Sequence, residues 1–252
     1  MGGRQLGDLV RHLVRRQLDS QHRFTVLGWL WPLVRQGAQL AVLVFLFSKV
    51  LDLGIPDYPL FVFTGLLVWT WFQTGLTEAT RSLETGRHLV FSPRFPDVAL
   101  PLVAVAAPLV DLLMALPILL VLLIAEGHLG PTALLFPAVL AAVFAFTAGL
   151  GMLCAAANVF FRDVTNIVGL ALLAAFYVTP VFYGLRNVPE RFAWVLHANP
   201  MTAYVETARA LLIEQQLPTL RDVAIGLAAA ALALALGGRA FRRLQPRFVD
   251  EL

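Results

Sequence analysis

The feature that most limits how this chain can fold is a series of apolar stretches, each about as long as a bilayer's hydrocarbon core is thick. A helix needs about 20 predominantly apolar residues to cross that core. Six stretches reach this length, at roughly 31–51, 59–79, 98–125, 132–157, 164–184 and 221–240. They predict an all-α polytopic membrane protein with six transmembrane helices in one domain, 1–252. Composition agrees: 59% of the 252 residues are hydrophobic and 14% are charged, where a soluble domain carries about 25% charged residues. The excess apolar surface needs lipid as its solvent.

Arginine placement sets an orientation. With six spans and both termini inside, the inner pieces hold Arg4, Arg11, Arg15, Arg16, Arg23, Arg81, Arg87, Arg94, Arg162, Arg239, Arg242, Arg243 and Arg247. The outer pieces hold Arg186, Arg191 and Arg209, and the short loops "DLGIPDY" and "EGHLG" hold none. This is the positive-inside bias of a bacterial inner-membrane protein. Because the basic residues flank membrane-length segments, nucleic-acid binding is a poor reading. The one cysteine, Cys154, allows no internal disulfide and no CxxC metal site. The first 25 residues contain five arginines and no continuous apolar run, so no cleaved signal is expected.

Two segments outside the spans show helical periodicity. In 1–27, Leu6, Leu9, Val10, Leu13, Val14 and Leu18 recur at three- and four-residue spacing, with Asp8, Arg11, His12, Arg15 and Arg16 on the other side. That pattern suits a helix lying in the membrane interface, or an ordinary surface helix. "GWLWP", 28–32, then supplies tryptophans at headgroup depth. Segment 185–219 reads as two short helices split at Asn199-Pro200, where Asn can cap and Pro can occupy the first turn. In the second, Met201, Tyr204, Val205, Ala208, Leu211 and Leu212 form one face, with Glu206 and Arg209 off it. Neither piece is long enough to span. They either dip back into the membrane as re-entrant helices or lie on its outer surface.

The chain has no phosphate-binding GK[ST] loop, no HExxH and no GxSxG. Histidines 12, 22, 88, 128 and 197 have no ligand spacing. Asp111, near the middle of the third span, is either an ion-coupling residue or a structural, protonated or paired acid. Arg35, Gln36 and Gln39 share a helical face, which suits a polar entrance lining or packing against a neighbour. Trp69, Phe72 and Gln73 share another, suited to stacking on sugar rings or to core packing. Two inner stretches, "RSLETGRHLVFSPRFPDVALP" (81–101) and "NVFFRDV" (158–164), ring apolar residues with charge. They read as docking surfaces for a partner, or as helix ends anchored at the interface.

Several stretches together resemble the membrane subunit of the type-2 ABC exporters for cell-surface polysaccharides, the O-antigen, capsule and teichoic-acid permeases. They are "VLGWLWPL" (26–33), "LVFSPRFPDVALP" (89–101), "NVFFRDV", "TPVFY" (179–183) and "NPM" followed by Arg209. Departures are Ser92-Pro93, where the family commonly has a lysine, and Arg35-Gln36, where a proline often follows "WPL". The resemblance implies a permease homodimer with two separately encoded ATPase subunits. It also implies a channel for an undecaprenyl-diphosphate-linked polysaccharide. No catalytic site, metal or cofactor is expected on this chain, with Mg-ATP held by the partner.

The resemblance further implies that 81–97 is a coupling helix. Arg81, Glu84, Arg87, Leu89, Phe91, Arg94, Phe95, Phe161, Arg162 and Asp163 would then meet the ATPase. Arg35, Gln36, Gln39, Trp69, Phe72, Gln73, Tyr177 and Tyr183 would line the substrate path. Segment 185–219 would be an outer gate containing Trp194, Asn199, Pro200, Tyr204 and Arg209. An ABC exporter of a drug or lipid is the nearest alternative, and an ion-driven carrier using Asp111 the next. An intramembrane enzyme lacks a paired nucleophile and base.

Overall fold

A backbone surrounded by hydrocarbon must satisfy its own hydrogen bonds, and a helix does so within one segment. The computed structural model describes residues 30–50, 53–92 and 95–251, and every regular element among them is helical. The expected interface helix at 1–27 lies outside the described residues. Helix α1, Trp31–Val44, starts with Pro32 in its first turn and widens into a π turn over Phe45–Val50. A proline there removes no intrahelical bond. Helix α2, Tyr58–Thr85, is 28 residues long, about 42 Å at 1.5 Å per residue.

The short α3, Arg87–Val90, leads to α4, Ala99–Ala106, and α5, Leu109–Ala125. The latter two form one path, broken at Ala107-Pro108. Pro108 has no N–H to continue the ladder, and the indole Nε1 of Trp71 donates to the carbonyl of Val105 at 3.1 Å. A mid-helix break is tolerated in an apolar setting when a neighbour supplies such a donor. After a 3₁₀ turn at Pro131–Leu135 come α6, Phe136–Phe160, and α7, Val164–Val178. Two short helices follow, α8, Glu190–Ala198, and α9, Pro200–Leu212. The chain closes with α10, Leu220–Leu244, a 3₁₀ turn at Gln245–Arg247, and α11, Phe248–Glu251.

Four stretches are long and apolar enough to cross a membrane: Tyr58–Thr85, Ala99–Ala125, Pro131–Phe160 and Leu220–Glu251. Two shorter apolar helices, Leu33–Ser48 and Val164–Val178, occupy the other two predicted segments. The chain is therefore a multi-pass membrane protein. Boundaries moved in two places. The second helix runs on to Thr85, so Arg81 and Glu84 ride on its last turns, and among the described residues of the 81–97 region only α3 is a separate helix. The fifth stops at Val178, leaving Thr179–Tyr183 as a non-helical strap.

Helix α2 is the hub of the bundle. It packs against α1, α4, α5, α6, α7 and α9, and Leu60, Val62, Phe63, Leu66, Leu67 and Trp69 are almost wholly buried. The tightest helix pair is α6 with α10. A Cβ on Gly237 would fall on the carbonyl oxygen of Gly149, and one on Gly149 would fall on the backbone of Ala233. With no side chains between them, the two backbones touch, as small residues permit between membrane helices. One end of the bundle gathers residues 81–92, 95–98, 161–163 and 239–251, and is rich in arginine. The opposite end gathers 53–57, 126–130 and 179–219.

Candidate functional site

At the arginine-poor end the strap Thr179–Tyr183 is held by three side chains, one from α2 and two from α9 and its cap. Tyr58, at the start of α2, donates its hydroxyl to the Phe182 carbonyl at 2.7 Å. Asn199 donates from Nδ2 to the Thr179 hydroxyl at 2.8 Å, while its Oδ1 accepts from the Met201 N–H at 3.0 Å. That second bond is the expected cap on α9, with Pro200 in the first turn. Arg209 is the third. Its Nη2 donates to the Val181 carbonyl at 2.8 Å, and Nε and Nη2 both reach the Phe61 carbonyl at 3.4 Å. Its Nη1 meets Glu206 Oε1 at 2.7 Å, and the guanidinium lies 3.4 Å from the centre of the Phe61 ring.

Arg209 is 2% exposed. A buried guanidinium is tolerable only when its charge and most donors are matched, which explains this set of partners. Gly65 makes room for it: a Cβ there would sit 2.9 Å from the Val181 oxygen and 3.1 Å from Arg209 Nη2. The predicted face of α9 is buried as expected, including Met201, Tyr204, Val205, Ala208, Leu211 and Leu212. Tyr204 also donates to the Gly226 carbonyl at 2.6 Å, fastening α9 to α10. Arg209, off that face, is buried too, which periodicity does not reveal. Trp194 on α8 is 70% exposed.

The residues expected to line a path fall into two groups. Trp69 and Phe72 are buried in the chain's own core, their rings 5.5 Å apart, with Trp69 also 5.6 Å from Phe176. Trp69 Nε1 donates to Gln73 Oε1 at 2.8 Å, and Gln73 is exposed. Tyr177 is exposed, and Tyr183 donates its hydroxyl to the Tyr177 and Val178 carbonyls, closing the end of α7. Arg35 is exposed, Gln39 is half-buried, and Gln36 is buried with no hydrogen-bond partner for its Oε1. A cavity of about 20 Å³ lies against Arg35, Gln36, Thr70, Trp71, Thr74 and Asp111. Asp111 thus sits beside the Pro108 break, in the first turn of α5.

The arginine-rich end combines a buried cluster with an exposed rim. Leu83, Val90, Leu100, Met152, Phe241 and Phe248 form the cluster, with Leu89, Phe95 and Phe160 packed against it. Gly86 lets α2 turn into α3, since a Cβ there would meet Leu100 at 2.8 Å. Arg81, Glu84, Arg87 and Phe91 are exposed, and the Arg87 guanidinium lies 5.3 Å from the Phe91 ring centre. Arg94 lies outside the described residues. Phe161, Arg162 and Asp163 are exposed at the α6–α7 turn, and Thr165 donates to Asn158 Oδ1 across it at 2.9 Å. Asp97 is buried and accepts from Gln245 Nε2 at 3.0 Å. Burial lifts its carboxyl above the usual range, and the Gln245 hydrogen bond opposes that rise.

Two contacts had no sequence signal. His128 Nε2 meets Asp57 Oδ2 at 2.8 Å, joining two loops. The other is Gln245 with Asp97, 148 residues apart. Among the described residues, no three His, Cys, Asp or Glu side chains are grouped to hold a metal ion.

A helical bundle with four stretches long and apolar enough to cross a membrane, many exposed large apolar side chains and one arginine-rich end has the character of a multi-pass membrane protein. Residues 8–213 match the model of the ABC-2 type transporter family, and the chain belongs to that family. It is 35% identical over 234 residues to the O-antigen export system permease protein RfbA of Myxococcus xanthus, covering 91% of this chain and 89% of that protein. It is 26% identical over 249 residues to the protein of the same name from Klebsiella pneumoniae, covering 98% and 96%. To the polysialic acid transport protein KpsM of Escherichia coli it is 20% identical over 204 residues, 79% of each chain.

Proposed function

We propose that this chain is the membrane-embedded permease subunit of an ABC exporter that moves a cell-surface polysaccharide, O-antigen-like and carried on undecaprenyl diphosphate, across the bacterial inner membrane. The observation that carries this reading is the 35% identity with an O-antigen export permease over nine-tenths of both chains. The bundle supports it. Four membrane-length apolar stretches and two shorter apolar helices would make six spans, with cytoplasmic termini and the arginine-rich end inside. Helices α8 and α9, too short to span, would be re-entrant elements of an outer gate.

The sequence contains no GK[ST] phosphate loop, so the work would come from Mg-ATP hydrolysed on two copies of a separate subunit. These would dock on the rim formed by Arg81, Glu84, Arg87, Phe91, Phe161, Arg162 and Asp163. Segment 81–97 would be the coupling segment. The exposed Gln73, Tyr177 and Arg35 would face the path at the interface of two copies, and 1–27 would lie in the cytoplasmic interface. Sugar hydroxyls suit amide and phenol partners, and tyrosine rings suit the apolar faces of sugars.

Gentle extraction of the tagged chain from its native membrane, followed by mass measurement of the intact complex, tests this. A mass of two permeases plus two ATPase subunits, with loss of surface glycan on deletion, is expected. A chain that emerges alone after cross-linking, or a deletion strain with normal glycan, overturns the reading.

A further inference from the structure

The seven residues Gln245–Glu251 contribute more to the arginine-rich end than their length suggests. Phe248 is fully buried, its ring 5.2 Å from Phe241 of α10 and 6.3 Å from Phe160 of α6. It shares one buried cluster with Leu83 and Val90, inside the 81–97 segment, and Leu100, just beyond it. Just before it, Gln245 donates to the buried Asp97 at 3.0 Å. The tail therefore grips the segment by an apolar plug and a polar hook, and through the same plug it touches the inner ends of two helices. Those helices, α6 and α10, are in backbone contact at Gly149 and Gly237. A force applied to 81–97 has a packed route into that stiff pair, because close-packed interiors transmit displacement.

We infer that the tail Gln245–Glu251 is a clasp on the coupling segment, with Phe248 and Gln245 as positioning residues that carry the ATPase stroke into α6 and α10. This rests on the function proposed above. Without the plug, the segment would still meet the ATPase along its exposed rim, but its motion would be absorbed in the void left behind. ATP would then be hydrolysed without proportionate export.

The test uses the whole complex in proteoliposomes, reading glycan moved per ATP hydrolysed. For Phe248→Ala this ratio should fall by about tenfold, within the 5–150-fold range of coupling between distant sites. ATP turnover per complex should persist, and Phe248→Leu, which refills much of the volume, should restore the ratio. Complexes holding both ATPase copies whose ratio is unchanged by Phe248→Ala overturn this inference alone. A wild-type chain with no bound ATPase overturns the parent reading as well.

Should Phe248→Ala not accumulate, a second experiment decides. Gln245→Cys and Asp97→Cys, in a chain with Cys154→Ser, are bridged by a short bis-methanethiosulfonate, each thiolate displacing one methanesulfinate. A clasp that moves with the segment as one body keeps exporting when cross-linked. Loss of export on cross-linking means the two part during the cycle, and the inference fails.

Discussion

Arg209 donates to the carbonyl oxygen of Val181 at 2.8 Å, so a charged side chain on α9 fixes a stretch of backbone beside α2. Glu206, one turn earlier, supplies the counter-charge at 2.7 Å. Removing one member of a buried pair leaves the other uncompensated, at about 3–5 kcal/mol. Arg209→Met is therefore expected to reduce thermal stability and abundance sharply. Arg209→Lys should not rescue, because an ammonium cannot reach Val181, Phe61 and Glu206 from one planar fork. Thermal unfolding of the detergent-extracted complex, followed by size-exclusion fluorescence, measures both.

The α6–α10 seam predicts a graded response. Gly237→Ala pushes a methyl into the Gly149 carbonyl, a backbone atom that cannot rotate away, and should cost at least the roughly 1–3 kcal/mol of ordinary overpacking. Gly169→Ala on α7, with open space around it, should leave stability unchanged or slightly improved. Comparing the midpoints of the two variants checks the prediction, and equal midpoints would refute the backbone contact.

Asp57 has φ +46°, a left-handed conformation, while its carboxylate meets His128. Asp57→Gly loses a partly exposed hydrogen bond to His128 worth about 0.5–1.5 kcal/mol but relieves a backbone that only glycine adopts freely. The two effects should nearly cancel. Asp57→Val loses the bond and adds strain, so it should be clearly less stable than Asp57→Gly. Parallel thermal melts of the two variants make the comparison.

Asp97 carries a pH prediction. Its folded-state pKa is raised by burial, so the folded chain holds the proton over a window where the unfolded chain has lost it. Stability from this group is therefore greatest at low pH. It declines as pH rises from the ordinary carboxylate value of about 3.9 through the raised one. Asp97→Asn, which keeps an oxygen to accept from Gln245, should flatten that decline and match or exceed the parent's stability at neutral pH. Melting curves across mildly acidic to neutral pH would show it; a steeper decline in the variant would contradict it.

Hydropathy made the helices legible, because a bilayer demands a minimum run length and nothing subtler. All six predicted apolar segments are occupied by helix, and the split at Asn199-Pro200 falls where cap chemistry places it. The break at Pro108 was not legible. Pro117 lies inside α5 without ending it, and what singles out the break at Pro108 is Trp71, whose indole reaches a freed carbonyl from another helix. Arg209 was visible as a charge off an apolar face, while its burial depends on Gly65, Phe61 and Val181, all distant in sequence. The four residues of α11 are too short for any periodicity, so Phe248 gave no sign of its burial.

The glycine seam also has a meaning in time. When α6 leaves the ribosome its deepest partner does not yet exist, since Gly149 waits for Gly237 near the far end of the chain. At about 5–20 residues per second that wait is on the order of 4–18 s. Throughout it, α6 can pack on the earlier α2, but its backbone notch at Gly149 stays open. Translation of the final helix is thus the moment at which that notch closes, and a stop codon before Gly237 would leave it open.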